Sequence, residues 1–359
     1  MIIGINASKA ATEKKTGIEW TVYELILALK KIDHKNTYHL YTNNPLPKEL
    51  VSNNFQEKLI PFPKFWHRTR LPIELLKDNI EAYIEPSAEL PTFAPKKSLV
   101  FIHDLAWFEF PEAYSRKEYL IQKRALRKAI ANASRIVCVS KSTEEDVQAY
   151  DKKSKPKTVV IENGFRPESL SITDPSLSIN DFTPYILSVG RLEERKNTQT
   201  LVESFNIFNE RNGGKYNLVL AGKPGYGYRK IKASIENSAF ADKIFELGYI
   251  SQPDKALLLK NATIFAFISR YEGFGLPILE SFSAGTPVVA ANSSSLPEVA
   301  GDAAILVNPE ETDEIVEAFQ KIVDNPKMAK DLIEKGRERI KIFSWDNTAR
   351  KILKCLEEM

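Results

Sequence analysis

Apolar residues in this chain follow two rhythms. Continuous short runs occupy residues 98–102, 136–140, 185–189 and 263–268. Runs that are apolar on both faces suit the buried strands of a parallel sheet. Shorter runs at 1–6, 38–41, 158–161, 217–223, 244–250 and 286–290 read the same way. Between them lie one-face patterns of helical period: Val22, Leu25, Ile26 and Leu29, the stretch 115–133, and a tail stripe of Trp345, Ala349, Ile352, Leu353 and Leu356. Residues 141–145 read as a helix start with capping-box chemistry. Strand and helix alternate as far as residue 307, which predicts an α/β fold with doubly wound parallel sheets. Residues 45–72 stand apart, rich in proline and aromatics and without a clear period.

At 359 residues the chain exceeds the size at which one core stops growing, so two domains are expected. After Gly164 the periodicity gives way to a Ser/Pro/Asp-containing stretch, the signature of a linker. The expected division is a first domain at 1–166, a linker at 167–183, a second domain at 184–342, and a terminal segment at 343–359.

The chemistry concentrates in residues 269–285. Gly273 and Gly275 let the backbone turn sharply and approach a ligand, Pro277 suits a first helical position, and Gly285 suits the residue past a helix end. Strand, glycine loop and short helix leave unpaired amides at a helix N-terminus, which favours anions. Glu272 and Glu280 frame that site, eight positions apart. A carboxylate repels phosphate, so these two suit sugar hydroxyls better. On spacing alone, a loop acid and a solvated helix glutamate explain them equally well. Residue 189 ends another strand, followed by Gly190, Arg191 and Lys196. A guanidinium fork and an ammonium five residues apart suit a diphosphate, although basic residues in a charged turn are usually just solvated.

Glu272 to Glu280 resembles the Glu-x7-Glu motif of retaining glycosyltransferases of the large family 4 type, and Gly273, Phe274, Gly275, Leu276 and Pro277 match that family's loop. Residues 291–299 and 301–304 resemble the family's next loop and small-residue segment, and Gly190, Arg191, Lys196 and Asn197 fit its Gly-Arg-x4-Lys-Asn pattern. The resemblance implies a GT-B fold, two Rossmann-like domains facing a central cleft, with a terminal helix crossing back to the first domain. It implies that Arg191 and Lys196 stabilise the leaving diphosphate and that Glu280 holds the ribose. Glu272 and the amides of Phe274, Gly275 and Leu276 would hold the donor sugar, and the backbone at Tyr249 and Ile250 would meet the nucleobase. His103 and Asp104 end a strand that resembles the family's strand-His-Asp segment, which places His103 near the sugar's 6-hydroxyl. Gly17 stands where the family has Gly-x-Gly, with Glu19 second, and would pass its backbone near the diphosphate. Arg270 departs from the family's small or apolar residue, as does the run 281–285.

The implied activity is transfer of a hexose from a nucleotide-diphosphate sugar to a glycan or lipid-linked acceptor. GDP-mannose is the first expectation and UDP-glucose the second, because residues 103–105 and 222–225 resemble bacterial mannosyltransferases. Two rivals remain: a nucleotide-sugar 2-epimerase on a similar fold, and a non-catalytic binding subunit. No Asp-x-Asp pair occurs in the sequence, so no metal cofactor is expected.

Composition narrows the setting. A hydrophobic content of 43% with 27% charged residues describes a globular chain. No run reaches the roughly 20 apolar residues of a membrane span, no signal-peptide pattern opens the chain, and the two cysteines support no disulfide framework. A cytoplasmic protein is expected, in the membrane-associated case peripheral at its inner face. Residues 1–180 carry 27 basic against 22 acidic side chains and residues 181–359 carry 23 against 25, too mild for nucleic-acid binding. Six basic residues between Arg116 and Lys128, interleaved with Leu120, Ile121, Ala125 and Leu126, fit either a solvated face or contact with an anionic membrane. Phe62, Phe65, Trp66 and Phe93 read as core aromatics before they read as an acceptor lining.

Overall fold

The computed structural model describes every residue except Glu13, Lys14, Thr16, Pro63, Lys64 and 168–171. Lys14 and Thr16, just ahead of Gly17 in sequence, and four residues of the expected linker thus lie outside the described residues. The chain forms two compact units, Met1–Gly164 with Phe343–Met359, and Phe165–Ile342. Among the described residues no helix is long and apolar enough to cross a membrane.

The first unit is built on strands β1 (Ile2–Asn6), β2 (Thr37–Thr42), β3 (Phe55–Leu59), β4 (Ala82–Glu85), β5 (Lys97–Ile102), β6 (Arg135–Cys138) and β7 (Thr158–Val160). They pair in the order β3-β2-β1-β4-β5-β6-β7, all parallel. The order reverses between β1 and β4, and ligands of open α/β sheets bind beyond the carboxyl ends at such a reversal. One face is covered by the helix Gly17–Ile32, which buries Val22, Leu25, Ile26 and Leu29. The helix Trp345–Glu357 adds Trp345, Ala349, Ile352 and Leu356 to that same core. At roughly 1.5–3 kcal/mol for each fully buried large side chain, that stripe anchors the tail firmly. Gly164 is required for its passage, because a Cβ there would lie 2.4 Å from the Trp345 amide nitrogen.

Several sequence expectations change here. Residues 45–72 are not aperiodic: they hold β3, an edge strand with Phe55 buried, and part of the helix Trp66–Lys77. Pro72 inside that helix masked its period. The capping box belongs to the helix Arg116–Asn132, where Ser115 and Glu118 satisfy each other's amides, whereas Ser140 alone caps the helix Lys141–Tyr150. Of the four expected core aromatics only Trp66 is buried; Phe62, Phe65 and Phe93 are 42%, 68% and 65% exposed. Phe65 and Phe93 sit at left-handed backbone positions, in turns that direct them outward.

The second unit repeats the plan with β8 (Tyr185–Val189), β9 (Asn217–Ala221), β10 (Ile244–Gly248), β11 (Ile264–Phe267), β12 (Val288–Ala291) and β13 (Ile305–Val307). Their order is β10-β9-β8-β11-β12-β13, again all parallel. Here the order reverses between β8 and β11, which pair through Ile186 with Ile264 and Leu187 with Phe265. The loops leaving these two strands therefore stand side by side at the carboxyl edge.

Candidate active site

The loop after β8 is shaped by close backbone approach. A Cβ at Gly222 would lie 1.7 Å from the Gly190 carbonyl oxygen, so the end of β9 tolerates only glycine there. Leu192 is buried and its amide donates to the Lys223 carbonyl at 2.9 Å. A 3-10 turn, Glu194–Lys196, follows and ends on Asn197 at φ +59°. Asn197 is locked by donating to the Pro309 carbonyl at 2.6 Å and accepting from Thr200 at 2.8 Å.

The loop after β11 carries Ser269 to Gly275. The Glu272 amide donates to Ser294 Oγ at 2.9 Å, and Ser295 Oγ lies 2.8 Å from the carbonyls of both Glu272 and Phe274. Gly275, at φ +113°, opens the helix Leu276–Ala284, with Pro277 in its first turn and Gly285, at φ +79°, closing it. Gly273, Phe274, Gly275 and Leu276 thus bring the chain into a helix N-terminus at the carboxyl edge, beside the β8 loop.

The two loops meet through charge. Lys196 Nζ donates to Glu272 Oε1. Arg195 places Nη1 3.4 Å from Glu272 Oε2 while donating to the Tyr271 carbonyl at 2.6 Å, and its Nη2 donates to Glu193 Oε1 at 2.8 Å. Lys196, Arg195 and Glu272 are 17%, 18% and 12% exposed as side chains. Burial pushes the Glu272 carboxyl up, but Lys196 and Arg195 outweigh it and hold the group below the usual carboxylate range. Lys196 Nζ also lies 5.2 Å from the centre of the Phe267 ring, which lies at the end of β11.

Arg191 is held more loosely. It is 67% exposed, with Nε 3.8 Å from Glu193 Oε2. Glu280 does not share the Glu272 cluster; it accepts from Lys255 Nζ at 2.6 Å, both side chains largely buried. Tyr249 is half exposed after β10, with Lys223 Nζ 5.0 Å from its ring centre, and Ile250 follows it half-buried. Arg270, the unusual residue beside Glu272, pairs with Glu310 at 2.6 and 3.0 Å and donates to the Glu194 carbonyl. That ion pair explains how a cation is accommodated there. Sequence reasoning missed Arg195, Glu193 and Lys255. Arg195 could have been noticed as Lys196's neighbour; nothing in the spacing marks Lys255.

The other two expected site residues lie in the first unit. His103 directly follows β5, partly buried, with Nε2 2.8 Å from the Pro86 carbonyl. Burial lowers its pKa against the opposing pull of that carbonyl and of Asp104, which keeps the ring neutral. A carbonyl can only accept, so Nε2 carries the proton and Nδ1 is left as an acceptor. Gly17 is not a loop glycine: it is the first residue of its helix, exposed, with no atom within 4 Å of a Cβ built on it. Sterically, glycine is not demanded there.

Comparison with known proteins finds family models that span both units. Residues 15–169 match the model described as Glycosyltransferase Family 4, and residues 172–339 match Glycosyl transferases group 1. The chain is 28% identical over 277 residues to the O-antigen chain mannosyltransferase B of Escherichia coli, covering 76% of this chain and 72% of that protein. It is 25% identical over 270 residues to the serotype-specific mannosyltransferase WbdA of Escherichia coli, covering 71% of this chain but only 32% of that longer protein. Among solved structures, Anabaena HepE in complex with UDP and glucose superposes with a TM-score of 0.72 at 16% identity, covering 100% of this chain and 99% of that one.

Proposed function

The chain belongs to the GT-B glycosyltransferases of the family 4 type, similar to bacterial mannosyltransferases, and from that premise we propose the reaction it performs. It is a retaining transfer of mannose from GDP-mannose, with UDP-glucose the second donor, to a hydroxyl of a glycan or lipid-linked acceptor. The observation that carries this reading is the Lys196–Glu272–Arg195 cluster at the strand-order reversal of the second sheet. A diphosphate arriving there competes with Glu272 for Lys196 and finds Arg191 already exposed. Lys196 and Arg191 then stabilise the negative charge that grows on the leaving diphosphate, without a metal. Glu272, relieved of Lys196 but still beside Arg195, turns its oxygens to the sugar hydroxyls. With Arg195 still beside it Glu272 is a poor nucleophile, so the acceptor hydroxyl attacks the anomeric carbon from the face the diphosphate leaves, its proton passing to the departing phosphate oxygen as that carbon–oxygen bond breaks. Neutral His103, with Nδ1 as acceptor, suits a hydroxyl of the donor sugar. Mannose ranks first because the two Escherichia coli relatives to which the chain is 28% and 25% identical are named mannosyltransferases.

The acceptor is assigned to the first unit, and the exposed face of the helix Arg116–Asn132 supports a peripheral contact with an anionic membrane. Arg116, Lys117, Leu120, Ile121, Arg124 and Arg127 are all exposed on it. A thermal-shift screen of nucleotide sugars identifies the donor, since a ligand at 100 times its Kd adds about 2.7 kcal/mol. The anomeric configuration of the product, read by NMR with EDTA present, then tests the reaction. An inverted product, turnover that needs added manganese, or sugar epimerised without any acceptor would each overturn it.

A further inference from the structure

We propose that Lys255 is a positioning residue for the nucleotide, holding the Glu280 carboxylate in the orientation that grips the ribose. The inference rests on the donor-site reading above. Lys255 is the fourth residue of the helix Gln252–Asn261 and Glu280 the fifth of the helix Leu276–Ala284. Their contact is short, 2.6 Å, and the side chains are 14% and 17% exposed.

The helix that carries Lys255 gives no reason for it. A cation in the first turn faces the positive end of the helix dipole, where an acid is favoured. Asp254 fills that acidic place and is committed elsewhere: it accepts from the amides of Ser176 and Leu177 and from the hydroxyls of Ser176 and Ser251. The ion partner of Lys255 is on the neighbouring helix.

Glu280 explains the position. A carboxylate offers about four acceptor sites on its two oxygens. Lys255 takes one, on Oε1, and leaves Oε2 and the rest of Oε1 for two neighbouring hydroxyls, the pattern a ribose presents. A buried carboxylate without its counter-charge is costly and turns toward water. Lys255 therefore fixes both the charge and the direction of the group that would read the ribose.

The test compares Kd values for GDP and UDP, for their 2′,3′-dideoxy counterparts, and for inorganic pyrophosphate. The proteins are wild type, Lys255→Met, Lys255→Arg, Glu280→Gln and the Lys255→Met/Glu280→Gln double variant. Wild type should favour the hydroxylated nucleotide by about 30-fold, the scale of a charge-assisted hydrogen bond. Glu280→Gln and Lys255→Met should lose that preference, the double variant should lose no more than Glu280→Gln, and Lys255→Arg should keep most of it. Pyrophosphate affinity should stay level throughout. If Lys255→Met keeps the ribose preference that Glu280→Gln loses, Lys255 is only a tie between two helices and the inference falls while the donor site stands. If Lys255→Met weakens pyrophosphate as much as GDP, Lys255 acts as a charge on the diphosphate and the inference also falls. If Glu280→Gln keeps the preference, the ribose assignment itself fails. Should Lys255→Met not fold, Lys255→Gln takes its place with the same expected and overturning outcomes.

Discussion

Both sheets reverse their strand order in the same topological place, yet the carboxyl ends there carry different chemistry. In the first unit, β1 ends on Asn6 and β4 on Glu85, which is fully buried. Asn6 Nδ2 lies 3.0 and 3.2 Å from the two Glu85 oxygens, and Tyr83, Ser87 and His67 also reach that carboxylate at 3.0, 2.8 and 2.9 Å. The set is closed, and its donors are neutral apart from one histidine. In the second unit, the matching loops hold Lys196 and Arg195 against Glu272, with Arg191 near the surface. Those cations are balanced by carboxylates that a phosphate can replace. The two sheets share the strand-order reversal, and the side chains at their strand ends set different local electrostatics: exchangeable ion pairs in the second unit and a carboxylate held by internal donors in the first.

The sharpest way to break that contrast is to remove a cation from the second unit. Lys196→Ala deletes the charge proposed to meet the diphosphate and leaves Glu272 in a largely buried place with less compensation. Losing a charge-assisted contact to the leaving group costs about 1.5–3 kcal/mol of transition-state stabilisation, so kcat/KM should fall by roughly 10- to 150-fold. Pyrophosphate affinity should fall with it. Unchanged pyrophosphate binding would mean that Lys196 serves Glu272 alone.

Next in size is the separation of the two glutamates. Glu280→Gln should weaken free nucleoside diphosphate by about 2 kcal/mol, the value of a hydrogen bond to a charged group. Glu272→Gln should leave that affinity close to wild type and lower kcat/KM for transfer, since its proposed contact is with the sugar alone. Equal effects of both on the free nucleotide would merge the two sites into one.

How far these sites were legible in sequence depends on how local each signal is. The buried strands β5, β8 and β11 announce themselves because both faces are apolar, and the glycine loop between β11 and its helix is marked by Gly275, Pro277 and Gly285. Residues 55–59 and 66–77 stayed hidden because an edge strand buries little and Pro72 interrupts the helical period. Phe62, Phe65 and Phe93 misled because aromatic character alone does not show which way a turn points. Arg195 and Lys255 act across sequence separations of 77 and 25 residues, so spacing reveals neither contact, and only Arg195 is flagged at all, by standing beside Lys196. The first unit's Glu85 network is likewise assembled from residues up to 79 apart.

A smaller effect separates the units at a membrane. Arg124 and Arg127 are exposed, whereas Lys123 lies 5.5 Å from the Tyr119 ring centre and Lys128 donates to Thr92. The residues facing outward, Arg116, Lys117, Arg124 and Arg127, should each contribute about 1 kcal/mol to binding anionic liposomes. Co-sedimentation should be strong at low salt, weaken with each replacement, and vanish at high salt. Binding that ignores all four replacements would place the contact elsewhere.

The smallest expected effect concerns pH, and it falls on the first unit alone. His67 is largely buried; burial lowers its pKa, but the Glu85 carboxylate and, more weakly, Glu89 raise it further than burial and Lys128 lower it. Its folded pKa therefore lies above the unfolded value of about 6.5, and the stability it adds is complete below that value and lost as pH rises through the folded one. His39 and His103 run the other way. Burial lowers both, His39 also feeling Lys58 against Asp78, so their contribution is present above about 6.5 and lost as pH falls. The first unit should thus be most stable near neutrality and lose stability as pH rises through the raised folded pKa of His67. Amide exchange of Ala82–Glu85 reads this directly: protection should decline above neutral pH in wild type, and His67→Gln should flatten that decline without altering the acid side. In the second unit Glu272, held low by Lys196 and Arg195, contributes stability that is lost only in acid, so exchange of Ile264–Phe267 should stay level over the same range. A parallel alkaline decline in both strands would show that the two carboxyl edges are not electrostatically distinct after all.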